Sequence, residues 1–131
     1  MAGPTTMREQ SARKQGDTQS GQLGDRLERL TCAIAEVRAG RRLSPRTIKL
    51  LKSGIPKMAQ KVIEEAAELG IEAVRANRNG LIEESVDLLY NLCVLWDEAG
   101  VPISEIGAEM DRREVLLGMA EKLRKSGSEE A

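Results

Sequence analysis

Hydrophobic residues recur at every third or fourth position through most of this chain, and no segment alternates convincingly enough to read as a strand. The first stripe is Leu23, Leu27, Leu30, Ile34 and Val37, which predicts a helix over 23–39 stopped by Gly40. A short helix follows over 45–52, with Ser44 as N-cap, Pro45 in its first turn and Gly54 as its stop. Two long helices follow, over 56–76 and 81–99, separated by the turn signal "NRNG" and ended by Gly100. A fifth starts at 102–104 and runs to about Lys125, with a bend or break expected near Gly118. Short loops predict that consecutive long helices pack antiparallel, so the expected fold is all-α, an antiparallel helical bundle. The helical domain spans 23–125. Polar residues 1–22 read as a disordered tail, and 126–131 as a frayed C-terminal tail.

On a helical wheel the third helix places Met58, Val62, Ala66, Leu69 and Ala73 on one arc of roughly 80°. Lys61, Glu65, Glu68 and Glu72 border that arc instead of facing away from it. The fourth helix repeats the arrangement: Leu81, Leu88, Leu92 and Leu95 form the arc, and Glu84, Asp87 and Asn91 border it. If the two helices form an antiparallel hairpin, the pairs Glu65/Glu68 and Glu84/Asp87 converge. Each pair has i, i+3 spacing, so its carboxylates stand one turn apart.

Four carboxylates beside an apolar seam repel one another and lose hydration, at a cost of several kcal/mol unless compensated. A hard divalent cation compensates them most simply, and an oxygen-only ligand set points to Mg²⁺ or Mn²⁺. An isolated Glu-Glu-x-x-Glu is by default a solvated helix face, with Lys61 as an i, i+4 partner of Glu65. The second acidic pair on the next helix weighs against that reading.

Composition narrows the chemistry further. The 131 residues contain no histidine, which excludes His-based triads, His-ligated zinc and Glu-x-x-His di-iron sites. Aromatics are 2%, so the core must be aliphatic, and a core this small is marginal without oligomerisation. The net charge of −1 offers no argument for nucleic acid or an anionic membrane as partner. Cys32 and Cys93 read as small core residues in a reducing compartment. With neither an 18-residue apolar run nor an apolar N-terminal segment, the expected location is the cytoplasm.

The string "KVIEEAAE…EESVDLLYNLCVL" resembles phosphoribosyl-ATP pyrophosphohydrolase, of the all-α (MazG-like) nucleotide pyrophosphohydrolase superfamily. The superfamily pattern, E-E-x-x-E followed by E-x-x-D, falls on Glu64, Glu65, Glu68, Glu84 and Asp87. "LERLTCAIAEVRAG", "IKLLKSGIPKMAQKV", "VDLLYNLCVLWDEAGVPISEI" and "EMDRREVLLGMAEK" resemble further family segments, covering about 23–125. Four places depart from the family pattern. Ile63 stands for the Gly before E-E, Asn91 for the His after Tyr90, and Leu117 for the Ser of the C-terminal S-G. "SPRTIKLL" stands for S-Y-T-x-x-L-L.

The resemblance implies a helical bundle forming an intertwined homodimer. It implies Mg²⁺-dependent cleavage of the α–β anhydride of phosphoribosyl-ATP, giving phosphoribosyl-AMP and pyrophosphate, the second step of histidine biosynthesis. Glu65, Glu68, Glu84 and Asp87 would be metal ligands, and Glu64 would orient or deprotonate the attacking water. Lys61, Asn91, Lys57, Arg112 and Arg113 are candidates for substrate binding, Lys61 first among the cations. Two other readings stand beside this one: a MazG-like enzyme acting on a noncanonical nucleotide, and a catalytically weak or non-catalytic helical dimer.

Overall fold

The computed structural model describes residues 7–127, and side chains over 22–118. Over the described residues the chain is all-α, with helices α1 (Met7–Arg38), α2 (Pro45–Ser53), α3 (Ile55–Val74), α4 (Arg78–Ala99) and α5 (Ile103–Gly127). The closest association is between α3 and α4, which form the expected hairpin. α1 packs on α4 and α2, and α2 sits against α1, α3 and α4. None of the described helices is long and apolar enough to cross a membrane.

Local sequence explains most boundaries. The α3–α4 turn is closed by Asn77, whose Oδ1 accepts from the backbone N–H of Gly80 at 3.2 Å as the N-cap of α4. Asn77 Nδ2 also donates to Glu72 Oε2 at 2.7 Å, so Glu72 fastens the turn as well as continuing the acidic strip. Gly100, at φ 71°, supplies the left-handed residue that ends α4. Ser44 occupies the N-cap of α2 as expected, but makes no side-chain cap. Its hydroxyl instead donates to Thr47 Oγ1 at 3.0 Å.

The core is small. Ile34, Met58, Cys93 and Val94 are its fully buried members, and Leu27, Leu30, Leu50, Leu51, Tyr90, Leu95 and Trp96 pack around them. Several expectations change here. α1 is helical from Met7, ahead of the start expected near Leu23. Residues 1–6 and 128–131 of the expected tails lie outside the described residues. α5 continues through Gly118 without a break, since one glycine weakens a helix by only about 1 kcal/mol.

Cys32 is exposed, unlike Cys93. Leu23, Ala66, Ala73 and Leu81, expected on core arcs, are also exposed in the single chain. α5 does not pack back along α4. Ile103 lines a cavity with residues of α1 and α4, but Met110, Val115, Leu116 and Leu117 lie open. Val115, Leu116 and Leu117 are consecutive, so they point around the helix instead of forming one stripe.

Candidate active site

The acidic strips of α3 and α4 meet across the hairpin. One carboxylate oxygen from each of Glu65, Glu84 and Asp87 lies within 4.8 Å of the other two. All three residues are half-buried. Glu65 Oε2 and Glu84 Oε2 are closed off from water and have no hydrogen-bonding partner among the described residues. Buried polar atoms are almost always satisfied in folded proteins, so two orphan carboxylate oxygens within one cluster leave room for a partner that a cation could be.

Electrostatics agree with the geometry. The Glu84 carboxyl is pushed from 4.5 up to about 7, first by its contact with Glu65, then by lost hydration, then by Glu68. Two carboxylates can share a hydrogen bond only if one keeps a proton, so each holds back ionisation of the other. A divalent cation would remove that conflict. The donor set is oxygen-only, which matches a hard cation, and the cluster could bind a metal.

Glu68 is exposed and lies beside Glu84, outside the tight group of three. Glu64 also faces solvent and accepts from Gln60 Nε2 at 2.8 Å. Its position follows from the helix: adjacent residues diverge by about 100°, so Glu64 cannot share the inward direction of Glu65.

Next to the acidic cluster is a cleft of about 380 Å³ lined by Arg46, Lys49, Leu50, Ser53, Lys57, Lys61 and Asn91. Lys57, Lys61 and Asn91 thus share one cleft. Asn91 is 3% exposed, and its Nδ2 donates to the Asp87 carbonyl at 2.8 Å, tying the cleft wall to the acidic turn. Lys61 makes no ion pair with Glu65.

Arg112 and Arg113 are elsewhere. Both sit on α5 and pair with Glu109, at 2.5 and 3.1 Å, and neither lines the cleft. Together they hold the Glu109 carboxyl down at about 2. Arg46 and Lys49 escaped the sequence reading. The available signal was the segment "SPRTIKLL", whose departure from the family pattern falls on the stretch that contains both.

The comparisons with known proteins cover this same hairpin. The family model for phosphoribosyl-ATP pyrophosphohydrolase matches residues 31–114, from the last two turns of α1 into α5. A phosphoribosyl-ATP pyrophosphatase 2 of Rhodopseudomonas palustris is 51% identical over 104 residues, 79% of this chain and 79% of its own. A second, from Bradyrhizobium diazoefficiens, is 47% identical over 79% of this chain and 78% of its own. A phosphoribosyl-ATP pyrophosphatase of Rhizorhabdus wittichii is 45% identical over 73% of this chain and 91% of its own. The matched stretch contains both halves of the acidic cluster and every cation of the cleft, and the chain belongs to the phosphoribosyl-ATP pyrophosphohydrolase family.

Proposed function

We propose that this protein hydrolyses phosphoribosyl-ATP to phosphoribosyl-AMP and pyrophosphate, in histidine biosynthesis, as a Mg²⁺-dependent cytoplasmic homodimer. The observation that carries the reading is the meeting of Glu65, Glu84 and Asp87 within 4.8 Å at the edge of a cleft lined by four cations. Glu65, Glu84 and Asp87 would hold the metal, with Glu68 closing the exposed side. Mg²⁺ bound there would screen the charge of the polyphosphate and activate water.

The chain's own residues do the rest. Lys61 and Lys57 bind phosphate oxygens and align the scissile anhydride with the acidic edge. Asn91 holds the cleft wall through its bond to the Asp87 carbonyl. Glu64 is the carboxylate we assign to the attacking water's proton, so Glu64→Gln lowers kcat while leaving Mg²⁺ affinity in place.

The homodimer is supported by what the single chain leaves open. Ile63, Ile71 and Val74 of α3 and Ile82 and Val86 of α4 are between 49% and 90% exposed. Both sets follow helical spacing, which is the pattern of a face that packs against another helix layer.

The test is pyrophosphate release from phosphoribosyl-ATP, with and without Mg²⁺, beside a panel including dUTP and dCTP. Mg²⁺-dependent turnover of phosphoribosyl-ATP supports the reading. Turnover of dUTP or dCTP with none of phosphoribosyl-ATP would move the protein to the noncanonical-nucleotide class. No turnover and no Mg²⁺ effect on melting would leave a non-catalytic helical dimer.

A further inference from the structure

The cleft beside the acidic cluster holds more positive charge than a triphosphate's two distal phosphates need. Arg46, Lys49, Lys57 and Lys61 all line it, and none of its lining residues is acidic. None of the four is in an ion pair among the described residues. Four unneutralised cations around one cleft repel each other, so their placement favours an anionic occupant.

The four come from two helices. Lys61 and Lys57 precede Glu65 on α3 by four and eight residues, about 6 and 12 Å along the axis at 1.5 Å per residue. Arg46 and Lys49 come from α2, on another wall of the cleft, one turn apart.

Arg46 is also held in place. Its guanidinium lies over the Tyr90 ring, 5.0 Å from the centroid. The Tyr90 hydroxyl is 2.6 Å from Oγ1 of Thr47, which is 5% exposed and takes a further bond from Ser44. An arginine stacked on a ring that is itself anchored keeps its fork of N–H donors aimed, and so loses little freedom on binding an anion.

Phosphoribosyl-ATP carries two separate anionic groups: the triphosphate, and the 5′-phosphate of the added ribose, which bears about −1.5 to −2 charge at neutral pH. Resting on the proposed substrate, we infer that Arg46 and Lys49 bind the 5′-phosphate of the phosphoribosyl group, while Lys57 and Lys61 bind the triphosphate. The α2 pair then separates phosphoribosyl-ATP from ordinary nucleoside triphosphates, which lack the second phosphate. Tyr90 and Thr47 are positioning residues that act through Arg46.

Two fragments test the division on the full-length protein. Ribose 5-phosphate has only the monoester end, and Mg²⁺-pyrophosphate only the polyphosphate end. Binding of each is measured by calorimetry for the wild type and for Arg46→Gln, Lys49→Gln, Lys57→Gln and Lys61→Gln. The α2 variants should weaken ribose 5-phosphate by about tenfold, the worth of a charge-assisted hydrogen bond, and leave Mg²⁺-pyrophosphate within about twofold. The α3 variants should do the reverse. In turnover, Arg46→Gln should raise KM for phosphoribosyl-ATP with kcat nearly unchanged, and Arg46→Lys should recover only part of the loss. The inference is overturned if ribose 5-phosphate does not bind, or if both pairs weaken it equally. If the wild type fails to turn over phosphoribosyl-ATP, the functional reading falls, and the fragment data still decide whether α2 holds a monoester site.

Discussion

Glu84 faces Glu65 across the α3–α4 seam, carboxylate to carboxylate, each with its Oε2 closed off from water and unpartnered among the described residues. A fold keeps such a contact only if a proton or a cation sits in it under working conditions.

The proton is the first consequence. Glu84 is raised from 4.5 to about 7 in the folded chain, so the folded state holds a proton that the unfolded state releases. Its contribution is complete below pH 4.5 and is lost as pH rises through 7. Glu109 runs the other way, being lowered to about 2, and changes stability only between 4.5 and 2, outside this window. In EDTA the protein should therefore melt at a lower temperature at pH 8 than at pH 5.5. Mg²⁺ should raise the melting temperature more at pH 8, where it no longer competes with the proton. Melting temperatures indifferent to Mg²⁺ at both pH values would mean that the carboxylates do not hold the cation.

Replacing Glu84 by Gln separates stability from function. The amide can donate to Glu65 without a proton from solvent, so the metal-free variant should melt at or above the wild type at pH 8. Pyrophosphate release should fall by more than about 100-fold, since even partners one shell beyond a metal are worth 10–100-fold. A gain in stability with loss of activity is the expected mark of a strained site. Equal activity in the variant would remove Glu84 from the machinery.

The hairpin turn offers a stability test remote from the chemistry. Ala76 has φ 55°, a left-handed conformation that costs a side-chain-bearing residue about 1–2 kcal/mol. Ala76→Gly should therefore stabilise the protein by about 1 kcal/mol, read from the urea midpoint at constant slope. Gly80→Ala should act in the opposite sense. A Cβ there would lie 2.6 Å from Glu72 Oε2 and 2.7 Å from Asn77 Nδ2, so the Asn77 cap must open, at about 0.5–2 kcal/mol.

These residues also show where a sequence informs and where it does not. Asn77, Gly100 and the stripe around Ile34 and Val37 act through neighbours in the chain, so spacing and turn chemistry placed them. Glu65, Glu84 and Asp87 were legible because two acidic edges on consecutive helices must meet if the loop is short. Arg46 and Lys49 were not, because α2 reaches the cleft only through tertiary packing, and no periodicity records which wall it forms. Arg112 and Arg113 lie outside the cleft of the single chain: on their helix they face Glu109 at i, i+3 and i, i+4, a local partner that competes with any distant one. The open side of α5 was hidden too, since a pattern shows that a residue is apolar but not which chain covers it.

That open side leads to the last expectation. Five hydrophobic residues, Ile34, Val37, Met58, Cys93 and Val94, are buried in the described part of the chain, while Ile63, Ile71, Val74, Ile82, Val86, Met110 and Leu117 are largely exposed. A core of that size is marginal against the entropy of ordering the helices. Covering the exposed stripes of α3 and α4 with a second copy would bury them at about 25 cal/mol for each Å² of apolar surface. Sedimentation equilibrium should therefore give a dimer at micromolar concentration, and the melting temperature should rise with protein concentration. Val86→Glu places a charge on the α4 stripe, on the side away from the acidic cluster, and Ile63→Glu does so on the α3 stripe. Each should shift the equilibrium toward monomer and lower the melting temperature, while Val74→Glu, at the 90% exposed end of the stripe, should do so least. A wild type that sediments as a monomer, with a melting temperature independent of concentration, would show that the single chain is stable with these stripes in water and would remove the homodimer from the proposal.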